Sequence, residues 1–142
     1  MKHHRGFSLF ELLIAMSIVS ILAVIAVPMY LNYDVRAKIT EGLSFAQPIK
    51  SLVTDYYLSM GSWPDSNATA GANDPANYRT QYIDSISVSK SGAGAAITIT
   101  YRIDALGGNN TIIMATSDSG NGMQWTCSGG SLVEKYRPSA CR

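Results

Sequence analysis

The sequence predicts an α+β fold: a long, twice-bent N-terminal helix packed on a four-stranded antiparallel meander, with a C-terminal loop closed by a disulfide. Three observations carry that reading. An apolar run from Phe7 to Val27, charged only at Glu11, gives way after Pro28 to apolar residues at three- and four-residue spacing. From Ile86 onward the period changes to two, between short glycine-rich connections. Both cysteines, Cys127 and Cys141, fall near the end of the chain. A length of 142 residues leaves room for one compact domain beyond the apolar terminus. The net charge of +1 removes any bulk electrostatic case for nucleic acid or an acidic partner.

The N-terminal element comes first. From Phe7 to Val27 the only charge is Glu11. As a helix this stretch reaches about 31 Å, enough to cross a hydrocarbon core of about 30 Å. Lys2, His3, His4 and Arg5 precede it, and a Lys/Arg excess marks the cytoplasmic side. The domain after Pro28 is therefore expected outside the inner membrane, tethered by a retained anchor. The alternative is an ordinary secretory signal with a small-residue exit at Val24-Ile25-Ala26. Glu11 argues against that, because a carboxylate among the first apolar residues weakens the region that export machinery reads.

Glu11 needs its own account. At headgroup level it costs little, whereas deeper in the bilayer a charged side chain costs about 2.5–3.5 kcal/mol. No partner is expected within the segment. Cleavage after Gly6 would create one, since Phe7 then carries a free α-amine that a neighbouring copy can offer to Glu11. Such a pair in a low-dielectric bundle would act as a register device between copies.

The stretch Gly6-Phe7-Ser8-Leu9-Phe10-Glu11 followed by "LLIAMSIVSILAVIAVP" resembles the class III signal of type IV prepilins. The resemblance implies a dedicated membrane peptidase that cuts after Gly6 and methylates Phe7. It also implies that Glu11 is the assembly residue. It covers residues 6–60 strongly and 123–142 moderately.

After Pro28, Val35, Ile39, Leu43, Ala46, Ile49, Val53 and Tyr57 share one face of an amphipathic helix that runs to about Ser59. Pro28 is expected to break or kink the helix and Pro48 to bend it again, while Gly42 weakens it. Gly61 is placed as its C-terminal cap. The polar stretch "DSNATAGANDPANYRTQ" reads as an exposed loop. Four strands follow, around Ile86 and Val88, around Ile97, Ile99, Tyr101 and Ile103, around Ile112 and Met114, and around Met123, Trp125 and Cys127. These divisions place a leader at 1–6, the membrane half of the helix at 7–27 and its amphipathic half at 28–59. A connecting loop covers 60–81 and the sheet with its tail 82–142, residues 28–142 forming one globular domain.

A late cysteine pair behind a membrane segment points to a disulfide in an oxidising compartment, the alternative being two free thiols. A ring of this size stabilises by about 3 kcal/mol on the chain-entropy model. The tail "WTCSGGSLVEKYRPSAC" resembles the disulfide-bonded D-region of type IVa pilins, and the resemblance frames that loop with Cys127 and Cys141. Arg137 before Pro138 departs from that pattern, where an apolar residue is commoner.

No catalytic constellation is legible. His3 and His4 are the only histidines and lie in the leader, which excludes His-based triads and His metal sites. With no Gly-x-Ser-x-Gly, no phosphate-cradling Gly-Lys-Ser/Thr and no paired-cysteine zinc spacing either, no enzyme, cofactor or metal site is expected. Asp118-Ser119-Gly120-Asn121 suggests a turn rather than a calcium loop, because later ligands are missing. Asn67-Ala68-Thr69 and Asn109-Asn110-Thr111 match the glycosylation sequence, with chance as the default. Lys135, Arg137 and Arg142 form a small basic group, read as solvated charge or as a footing for DNA or a host surface.

The expected function is a structural subunit of a type IV pilus, polymerised through its N-terminal helix. The family resemblance implies a retractable fibre for adhesion, twitching motility or DNA uptake. It also implies the peptidase/methylase, an inner-membrane assembly platform and other copies of the chain as partners. The rival readings are a minor pilin, a type II secretion pseudopilin and a DNA-binding uptake pilin.

Overall fold

The computed structural model describes residues 6–118 and 123–142, so most of the Asp118–Asn121 turn lies outside the described residues. The described chain forms two compact units, one ending at Asp34 and the other running from Val35 to Arg142. One helix, α1 (Leu9–Met60), supplies nearly all of the first unit and the start of the second.

Within the second unit α1 buries Val35, Ile39, Gly42, Ala46, Ile49 and Val53. The steps alternate between four and three residues, which keeps one stripe on the sheet. Leu43 and Tyr57 pack at the margins of that stripe. Of the break or kink expected at Pro28, no break occurs: α1 runs through both Pro28 and Pro48. A proline in a helix interior costs about 3 kcal/mol. Around Pro48, burial of Ala46 and Ile49 on the sheet side offsets that loss. Gly61, at φ +66°, closes the helix by donating its N–H to the Tyr57 carbonyl at 2.9 Å. Trp63 then stacks on Tyr57 with ring centroids 3.9 Å apart.

The sheet comprises β1 (Ile83–Ser91), β2 (Gly94–Tyr101), β3 (Thr111–Asp118) and β4 (Met123–Gly129). All neighbours are antiparallel and lie in sequence order, as a meander requires. Register places Ile86, Ile99 and Ile112 side by side, and Val88, Ile97 and Met114 in the next row. These two cross-strand rows form the floor on which the stripe of α1 rests. β2 is shorter than its alternation suggests: it ends at Tyr101, and Ile103 instead precedes a 3-10 turn over Asp104–Leu106.

Tyr101 explains a residue that otherwise weakens the helix. Its hydroxyl donates to the Ile39 carbonyl at 2.8 Å. A Cβ at position 42 would lie 2.6 Å from the Tyr101 hydroxyl oxygen and 2.7 Å from its ring carbon Cε1. Gly42 is therefore the gap in α1 that admits the Tyr101 ring.

The stretch after the helix is less exposed than its composition suggests. Asn67 and Ala70 are buried, as are Trp63 and Pro64 just before it. Asp74 caps the short 3-10 turn Pro75–Tyr78 by accepting the Ala76 N–H.

Candidate assembly site

In the N-terminal unit, Gly6, Phe7 and Ser8 precede the helix in non-helical, exposed conformation, and Phe7 is 84% exposed. Ser8 is the N-cap: its carbonyl takes the first helical bond, from Leu12 N–H at 3.2 Å. The Ser8 Oγ accepts the Phe10 N–H at 3.3 Å, and Glu11 Oε2 accepts the Ser8 N–H at 3.0 Å. This reciprocal arrangement is a capping box, written in the sequence as Ser-x-x-Glu. Glu11 therefore does have a partner within its own segment, the Ser8 amide, contrary to the expectation that none exists. Its carboxylate also lies at the positive end of the helix dipole.

From Leu12 to Leu31 the surface of this unit is largely apolar and uncovered. Side chains from Leu9 through Leu31 are exposed on every side of the helix. The two serines inside the run do not interrupt it: Ser17 and Ser20 donate to the carbonyls of Leu13 and Met16 at 2.9 and 2.8 Å. α1 is long and apolar enough to cross a membrane. A helix that is greasy all round must be buried by lipid or by other helices.

At the other end of the chain Cys127 and Cys141 are joined by a disulfide with their Cα atoms 4.7 Å apart. The basic group around it does not hold together as an exposed patch. Arg137 is only 7% exposed, and its guanidinium donates to the carbonyls of Leu132, Cys127, Gly129 and Gly130 at 2.9 to 3.3 Å. The expectation that Arg137 contacts an external surface is corrected accordingly, because its donors are spent on its own loop. Lys135 and Arg142 are exposed, with Lys135 Nζ 4.6 Å above the Tyr136 ring. Arg36, not singled out in the sequence, joins the loop by donating from Nε to the Lys135 carbonyl at 2.7 Å.

Asn67 is 4% exposed. Its side-chain nitrogen donates to the carbonyls of Asn73 and Ile86 at 2.8 and 3.0 Å, and its oxygen accepts the Val88 N–H at 2.6 Å. Both amide hydrogens are in use, so the Asn-Ala-Thr match there is not a glycan acceptor in the folded chain. Among the described residues no group of three or more His, Cys, Asp or Glu side chains gathers as a metal site.

An exposed apolar helix with a carboxylate at its capped start, joined to a disulfide-closed α+β domain, defines a filament-forming structural protein. Comparison with known proteins agrees: residues 35–142 match the family described as pilin (bacterial filament), and residues 1–27 match the prokaryotic N-terminal methylation motif. The chain belongs to the pilin family. It is 35% identical to the fimbrial protein EcpC of Eikenella corrodens, over 97% of this chain and 90% of that protein. It is 32% identical to the type IV major pilin protein PilE1 of Neisseria gonorrhoeae, over 97% and 93%. A third relative, the prepilin peptidase-dependent protein D of Escherichia coli K12, is 30% identical over 89% and 83%.

Proposed function

We propose that the chain is a structural subunit of a type IV pilus. It is cut after Gly6, methylated on Phe7, and polymerised through the exposed apolar half of α1. The observation that carries this reading is a helix with apolar side chains exposed all round from Leu9 to Leu31, in which Glu11 is the one charge. The names of its relatives, a major pilin and a fimbrial protein, support it. Burial of the apolar segments against one another supplies affinity. The Glu11 carboxylate meeting a neighbour's Phe7 amine supplies register. Before assembly the segment spans the inner membrane with Lys2 and Arg5 on the cytoplasmic side, and an assembly platform there extends the fibre. Pro28 and Pro48 serve as bend points within the fibre. Attachment to DNA or a host surface would rest on Lys135 and Arg142, both exposed.

The test is Glu11→Val with the mature N-terminus read by mass spectrometry. The expected outcome is a normally processed chain that begins at methylated Phe7 and forms few or no fibres. Fibres of ordinary yield and length from correctly processed Glu11→Val would remove Glu11 from assembly. A mature chain that begins near Val27 would restore the secretory-signal reading.

A further inference from the structure

The path of the chain after β4 turns sharply back on β3. Gly130 sits at φ +94°, and a Cβ there would overlap the Thr111 carbonyl oxygen. The Leu132 N–H donates to that same oxygen at 2.9 Å, and Ser131 bonds the Thr111 hydroxyl. Several carbonyls on either side of this turn, those of Cys127, Gly129, Gly130 and Leu132, converge on one side chain, and carbonyls withdrawn from water need donors.

Arg137 supplies them. Its Nε takes Leu132 O, Nη1 takes Cys127 O and Gly129 O, and Nη2 takes Gly130 O. One planar guanidinium thus holds four carbonyls of a six-residue arc in a single geometry, which an ammonium group cannot match. The rest of the loop is tied by Arg36 Nε on Lys135 O and by Arg142 Nε on Arg137 O. The disulfide acts differently. It joins residue 127 to residue 141 at one point and leaves the route between them undetermined. Its contribution comes mainly through restriction of the unfolded chain.

We propose that Arg137, rather than the Cys127–Cys141 disulfide, sets the conformation of the C-terminal loop, so that the loop keeps its fold when the bridge is absent. The departure of Arg137 from the apolar residue commoner before this proline is then a change of mechanism: the loop is organised by a buried cation and main-chain dipoles.

The experiment is site-resolved amide hydrogen exchange on the full chain in detergent micelles, read at Leu132 and Tyr136, with β2 amides as internal reference. Three variants are compared with the wild type: the double variant Cys127→Ser/Cys141→Ser, Arg137→Lys and Arg137→Leu. The double cysteine variant is expected to keep Leu132 protection within about tenfold of wild type. Arg137→Lys and Arg137→Leu, with the bridge intact, are expected to lower it about 100-fold while β2 stays protected. If Arg137→Leu does not fold, Arg137→Lys decides alone. The proposal is overturned if the double cysteine variant loses as much Leu132 protection as Arg137→Lys. It is equally overturned if Arg137→Lys retains that protection with the bridge closed.

Discussion

The two ends of α1 use apolar side chains in opposite ways. Up to Asp34 the helix exposes Leu, Ile, Val and Met on every side and buries none of them. From Val35 onward, six buried positions form one stripe, and Ser44, Gln47 and Asp55 stand on the exposed sides. The first pattern has no preferred face, so its neighbours can approach from any direction. The second fixes one face against one sheet. The difference teaches that apolar content alone says little about a helix; its distribution around the axis determines whether the core is its own or shared.

Substitutions that swap the two patterns give the largest effects. Ile49→Ala, at a position 1% exposed, is expected to destabilise the Val35–Arg142 unit by about 3 kcal/mol. Ile18→Ala, at 54% exposed, should leave that unit's stability within about 0.5 kcal/mol. Thermal unfolding of the full chain in detergent, followed by Trp63 and Trp125 fluorescence, separates the two, and equal losses would collapse the distinction. Gly42→Ala sharpens the comparison by inverting a rule. In an unobstructed helix the change gains about 1 kcal/mol. Here the new methyl meets the Tyr101 ring, and a net loss of about 2 kcal/mol is expected in the same assay.

Tyr101→Phe should cost about 1 kcal/mol through the lost bond to Ile39 O. It also carries a pH signature. Burial, with the Glu41 charge as a second cause, pushes the Tyr101 phenol above its ordinary value. The folded state holds a proton that the unfolded chain releases above about pH 10, so the contribution is intact below that pH. It is lost progressively as pH rises further, and Tyr101→Phe should flatten part of this alkaline slope in denaturant titrations. The smallest effect belongs to Arg79–Asp84, 2.7 Å apart with both side chains well exposed. Asp84→Asn should change stability by less than about 0.5 kcal/mol.

The sequence made the periodic features plain. The stripe from Val35 to Val53, the alternation through Ile97, Ile99 and Tyr101, and the late cysteine pair are local patterns, and each appears in the structure close to where its residues announce it. Features that need a distant partner were opaque. Gly42 looked like a flaw because the ring that fills its gap lies in β2. Asn67 looked like loop because its partners, Ile86 and Val88, belong to a strand that begins well beyond it. Arg137 looked like surface charge because nothing in its neighbours' identities shows that their carbonyls converge. The Ser8–Glu11 cap is a different case. Its Ser-x-x-Glu spacing is a local signal, legible within four residues and independent of any distant partner.

Asn67 has a consequence for how such a chain survives crowding. β1 is an edge strand, and the open side of an edge is a template on which another chain can add a strand. The Asn67 side chain takes Ile86 O and Val88 N–H together, the same donor–acceptor pair that a visiting peptide group would use. One carboxamide thus impersonates a neighbouring strand and occupies its berth. For a subunit that assembles as proposed above, an open edge would be a second, indiscriminate stacking surface. In this chain Asn67 holds the middle of that edge, and the Thr80 N–H takes Ile83 O at its start.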